Sequence, residues 1–146
     1  MTGRRSAFAI CAALAAFAAP LAAQKQVINP PGATPSPTLS AAVRVGDLLY
    51  LSGQLPGRDA DTTIESQTKS ALERMNPILA AAGTSAANIV KCTVFLANVK
   101  DFAGMNRAYT QYFTKEPPAR STVAVAALVS PTAKLEVECI ATIPKS

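Results

Sequence analysis

The chain has 146 residues, with 14 Lys and Arg against 9 Asp and Glu, three Cys, and neither His nor Trp. Without an imidazole there is no histidine base and no histidine metal ligand, and cysteines alone in this number do not build a zinc site. The positive excess is scattered rather than gathered into a Lys/Arg stripe with interleaved aromatics, which argues against nucleic acid as a partner.

In chain order, Arg4-Arg5 precede an apolar run from Ala7 to Ala19, and a small-residue stretch ends at Ala22-Ala23. Basic, apolar, then cleavable is the order of a secretory signal peptide, expected over residues 1–23. The run falls short of the roughly 20 apolar residues a permanent anchor needs. The mature chain is therefore expected in the periplasm or secreted, with no membrane attachment after cleavage. Its 123 remaining residues fit one domain with a sizeable core, and carry a mild excess of three positive charges.

Residues 24–37 are Pro-rich and read as an extended lead-in, with the domain proper over 38–146. Ala41 to Gln54 reads as a hairpin turning at Gly46-Asp47. Thr62 and Glu65 have capping-box spacing, predicting a helix from there to about Ala82 that Pro77 bends or splits near Asn76. Gly83 is the expected C-terminal cap. A β-branched strand follows over Ile89–Leu96. Asp101 is expected to cap a second helix running to about Phe113, with Phe102, Met105, Tyr109 and Phe113 on one face. Two strands, Ser121–Leu128 and Leu135–Ile143, complete the order β-β-α-β-α-β-β. The fold class is α+β, a two-layer sandwich of two helices on one mixed sheet.

Strand side chains alternate between faces. Leu135, Val137, Cys139 and Ala141 form the face expected under the helices, leaving Glu136 and Glu138 on the other. With Val123 and Val125 also placed under the helices, Arg120, Thr122 and Ala124 fall on the uncovered face beside Glu136. Thr122, Ala124, Ala126 and Ile140 are poor residues for a solvated face, so a second copy of the chain is the expected cover. Cys92 and Cys139 are placed in the core as two free thiols, with a disulfide the alternative that an exported compartment permits. Arg120 offers a planar fork suited to a small carboxylate, and a nearby glutamate can hold a water.

The string P-A-R-S-T-V-x-V-A-x-L at 118–128, followed by L-E-V-E-C-I-A at 135–141, resembles the signature of the RidA (YjgF-like) family of reactive-intermediate deaminases. R-V-G-D-L-L-Y-L-S-G-Q, I-V-K-C-T-V-F-L and D-F-A-G-M-N-R-A-Y-T-Q-Y-F are similar in kind and order, so the resemblance covers about Ala33 to Ile143. It implies a chorismate-mutase-like fold and a homotrimer with ligand clefts between subunits. It further implies hydrolysis of 2-imino acids or enamines to 2-keto acids and ammonia, without metal or cofactor. By position, Arg120 corresponds to the carboxylate-gripping arginine and Glu136 to the glutamate of the reacting water. Ser52 and Asn106 correspond to cleft residues. Leu39 stands where the family carries a tyrosine, and Thr122 where it often carries a cysteine. The loss of that phenol keeps a second reading open, a non-catalytic periplasmic binder of small carboxylates on the same fold.

Overall fold

A computed structural model describes residues 24–145; the signal-peptide expectation lies outside the described residues. Six strands form one mixed sheet in the order β1-β2-β3-β6-β4-β5. They are β1 (Lys25–Ile28), β2 (Ala42–Val45), β3 (Leu48–Leu51), β4 (Ile89–Leu96), β5 (Ala119–Ala124) and β6 (Leu135–Thr142). All pairs are antiparallel except β4 with β5, which α3 connects by a crossover. Helices α1 (Ile64–Glu73), α2 (Asn76–Ala81) and α3 (Phe102–Tyr112) cover one face. The expected two-layer α+β sandwich is therefore present, with the first helix in two pieces.

That split follows from the sequence. Pro77 lies in the first turn of α2, where its missing N–H costs least, and the chain breaks at Arg74-Met75. The cap of α1 is Thr63 rather than Thr62: its hydroxyl accepts from Ser66 N at 3.2 Å, and Asp61 Oδ1 in turn accepts from Thr63 N and Oγ1. Gly83 has φ +77° and ends α2 as expected. Asp101 does not cap α3 through its side chain. A 3₁₀ turn precedes the helix, and the capping acceptor is Asn98, whose Oδ1 takes Lys100 N at 3.0 Å.

The core lies between the helices and the side chains of Leu49, Leu51, Val94, Leu96, Leu135, Val137 and Ala141. Ala71, Leu72, Met75 and Leu79 descend from α1, α2 and their junction, and Met105 and Tyr109 from α3. Buried Gln67 ties α1 to the segment leading into β6, donating to Thr132 O (3.2 Å) and accepting from Lys134 N (2.8 Å). Strand β6 is thus anchored immediately before Glu136.

Several expectations are corrected. The lead-in over 24–37 contains a strand: β1 pairs with β2, Val27 opposite Val43. Strand β5 ends at Ala124 rather than Leu128. Cys92 and Cys139 are not free thiols but a disulfide, facing each other across β4 and β6. Register made this possible, since directly opposed residues bring their Cβ atoms within disulfide reach.

The phase of β5 is the consequential correction. Opposed residues on paired strands share a face, and Arg120 is opposite Cys92, itself opposite buried Cys139. Arg120, Thr122 and Ala124 therefore lie on the helix side. Val123 is opposite Phe95, which is opposite Glu136, so Val123 and Glu136 share the open face. The open face carries exposed apolar residues as expected: Ile140 is there beside Tyr50, but Val27, Val45, Leu48, Tyr50 and Val123 take the place of Thr122 and Ala124, among charged Lys91, Glu136 and Glu138.

Candidate functional site

Arg120 sits on β5, the edge strand, under α3. Its Nη2 donates to Asn106 Oδ1 at 2.6 Å and its Nη1 lies 3.7 Å from Met105 Sδ. The guanidinium carbon is 4.5 Å from the Tyr109 ring centroid and 5.9 Å from that of Phe102. Each of these neighbours is neutral, and no ion pair among the described residues includes Arg120. A half-buried guanidinium has five N–H donors and an always-present charge; here the charge is cradled but not neutralised. Such a group is prepared for an anion, and a carboxylate matches its fork.

Thr122, two residues along the same face, has a hydroxyl oxygen that is buried without a hydrogen-bond partner, as does Tyr109. Burial pushes the Tyr109 phenol up to about 12, against the opposing pull of the Arg120 charge, so the ring is neutral in ordinary buffers.

The other expected residues gather elsewhere. Ser52 follows β3 and donates from Oγ to Ser40 O at 2.7 Å, which holds the segment carrying Leu39. Gln54 and Val137 exchange backbone hydrogen bonds of 2.7 and 3.0 Å, pinning the stretch to β6. Gly53 is thereby pressed against the Glu136 carboxylate so closely that a Cβ would overlap Oε1. Leu39 is 60% exposed and borders a cavity of about 440 Å³ with Asn29, Pro30, Gly53, Arg74 and Pro77. Glu136 faces the open side beside Phe95, Val125 and Val129.

The candidate residues therefore fall into separate groups. Arg120, Asn106 and Thr122 form one, on the helix side. Glu136 lies apart from them on the open face, with Gly53, next to Ser52, against its carboxylate, while Leu39 borders its own cavity with Arg74 and Pro77 at the α1–α2 junction. The expectation that Arg120 and Glu136 share a face does not hold, because β5 is turned over relative to that reading. Gly53 carries a signal in the sequence too, since S-G-Q ends a strand where only a residue without a side chain fits against β6. Met105 and Tyr109, expected only as helix packing, are aimed at Arg120 by their four-residue spacing.

Comparison with known proteins follows the same outline. A family model described as endoribonuclease L-PSP matches residues 32–143. The chain is 41% identical over 109 residues to Reactive Intermediate Deaminase A, chloroplastic, of Arabidopsis thaliana, covering 71% of this chain and 58% of that protein's length. It is 37% identical over 122 residues to Protein mmf1, mitochondrial, of Schizosaccharomyces pombe, covering 80% of this chain and 75% of that one. Among solved structures, yeast Mmf1 superposes with a TM-score of 0.74 at 32% identity, over 83% of this chain and 100% of that chain.

Proposed function

This chain belongs to the endoribonuclease L-PSP family, also called RidA or YjgF-like, and from that premise we propose that it hydrolyses reactive 2-imino acids to 2-keto acids and ammonia. The observation that carries the reading is Arg120, a partly buried cation held only by neutral groups. Its free N–H groups grip the substrate carboxylate in a charge-assisted fork. A water adds to the C=N carbon while Glu136 takes its proton and passes it to the imine nitrogen, giving a carbinolamine. Glu136 then moves the carbinolamine hydroxyl proton to the amino nitrogen, which leaves as ammonia as the C=O forms. One water is consumed, both its hydrogens end on ammonia, and the C=N bond is replaced by C=O. Imines of this kind hydrolyse slowly on their own, so fixing carboxylate and water in register supplies most of the acceleration. The chain has no histidine, so imidazole-based cleavage of RNA is not open to it.

Since Arg120 and Glu136 face opposite sides of one sheet, the reading joins Arg120 of one copy to Glu136 of another. The apolar residues exposed on the open face, Leu48, Tyr50 and Val123, support a homotrimer whose sheets meet there, the expectation the family resemblance raised. Export to the periplasm or beyond is part of the same proposal, supported by the buried Cys92–Cys139 disulfide, a bond at home in an oxidising compartment. Sequencing the N-terminus of the protein recovered from fractionated cells tests it; a start at Gln24 is expected.

The activity test generates 2-iminobutanoate in situ with an amino-acid oxidase and follows ammonia or keto-acid release. The wild type accelerates release and Arg120→Ala does not. Release at the uncatalysed rate in the presence of folded wild type ends the deaminase reading.

A further inference from the structure

The four side chains around Arg120 come from a single helix. Phe102, Met105, Asn106 and Tyr109 stand at successive positions i, i+3, i+4 and i+7 of α3, one continuous stripe facing β5. Asn106 and Met105 touch the guanidinium at its edge, through its N–H groups. Tyr109 meets it differently, with its ring 4.5 Å from the guanidinium carbon, the distance of a cation held against an aromatic face.

Tyr109 is itself held rigidly. It is only 4% exposed, and Phe113 lies behind it with ring centroids 4.7 Å apart. Tyr112 packs edge-on against Phe113 at 4.9 Å, and its hydroxyl donates to Asn76 Oδ1 at 2.5 Å. The ring against Arg120 is therefore the end of an aromatic series fastened to the start of α2. The Tyr109 hydroxyl contributes no bond to this arrangement, being buried and unpartnered. What the residue offers Arg120 is its π face.

We infer that Tyr109 is a positioning residue for the anion site: its ring face fixes the Arg120 guanidinium so that its unoccupied N–H edge presents to the substrate carboxylate. This rests on the reading of Arg120 as the carboxylate anchor. An arginine side chain has several rotatable bonds, and one left without the ring must be ordered anew each time a carboxylate binds. The loss falls on ground-state and transition-state binding alike, since both carry the same carboxylate. It therefore raises KM and leaves kcat nearly unchanged.

The probe is 2-oxobutanoate, the product keto acid, titrated calorimetrically into the full protein beside steady-state turnover of 2-iminobutanoate. Tyr109→Leu is expected to weaken keto-acid binding and raise KM by about three- to thirty-fold, with kcat within about twofold. Tyr109→Phe keeps the face and loses only the unpartnered hydroxyl, so it is expected to behave as wild type. Because Tyr109→Leu also opens the core, a second series holds volume nearly constant. Phenylalanine carrying one, two or three ring fluorines at position 109 is expected to weaken binding stepwise, as the ring face loses negative potential. A flat fluorine series, or Tyr109→Phe as damaging as Tyr109→Leu, overturns the inference while wild-type binding that Arg120→Ala abolishes leaves the anchor reading standing. A wild type that binds no keto acid removes both.

Discussion

Breaking the Cys92–Cys139 bridge is expected to weaken the fold by an amount that its place in the chain sets. The two cysteines are 47 residues apart in sequence, and constraining a loop of that length in the unfolded chain is worth about 4 kcal/mol by chain entropy. Native disulfides usually return somewhat less, about 2–4 kcal/mol. Both cysteines are buried, Cys92 fully and Cys139 at 2% exposure, so Cys92→Ala with Cys139→Ala also loses packing worth about 1 kcal/mol per sulfur. The double variant should therefore lose about 4–6 kcal/mol in urea unfolding at fixed protein concentration. Wild type refolded under a thiol reductant keeps the sulfurs and loses only the loop constraint, so it should fall between the two. Native protein should resist the same reductant, because neither sulfur is accessible. In a denatured but unreduced chain that retains residues 1–23, Cys11 alone should react with a thiol reagent. Three reactive thiols, or one urea midpoint shared by oxidised and reduced protein, would refute the bridge and its role.

Gly53→Ala places a methyl group on the Glu136 carboxylate; displacing that base by about an ångström should lower kcat about 10- to 100-fold with little change in KM, and unchanged kcat would detach Glu136 from the chemistry. Gly104→Ala drives a Cβ into the Ile64 side chain and to 2.9 Å from Glu65 Oε1 where α3 crosses α1. Overpacking of about 1–3 kcal/mol should outweigh the roughly 1 kcal/mol gained in helix propensity, a net loss visible as a lower urea midpoint. Burial raises the phenols of Tyr109 and Tyr112 to about 12. The folded chain then holds protons that the unfolded chain releases near pH 10, so this stability is complete below that pH and is lost as pH rises towards 12. Phenolate absorbance from Tyr109 and Tyr112 should therefore appear late, and only as the fold gives way; ionisation of these two at the ordinary value would contradict their burial.

Much of the fold can be read from local pattern, because the pattern is strong where it was used. L-E-V-E-C-I-A alternates without ambiguity, and β6 indeed buries Leu135, Val137, Cys139 and Ala141. Pro77 cannot sit mid-helix unremarked, and the break falls beside it. The failures lie where the pattern is weak or the cause is distant. In A-R-S-T-V-A-V-A both faces of the strand are small, so placing the valines inside was reasonable, yet the phase is set by Arg120 packing under the α3 stripe. K-Q-V-I is too short to declare itself a strand and is one only because Val27 finds Val43 across β2. The disulfide depends on the register of β4 against β6, a property of two segments together. Site residues were legible as residue types at positions; which of them meet within one chain was not.

The shared site is tested most directly by mixing two dead proteins. Arg120→Ala retains Glu136, and Glu136→Gln retains Arg120. Co-refolded in equal amounts, the two should form mixed trimers in which roughly a quarter of the clefts draw an intact arginine from one subunit and an intact glutamate from its neighbour. Recovery of about that share of wild-type imine hydrolysis is the predicted result. A refolded mixture as inactive as either parent would contradict the account.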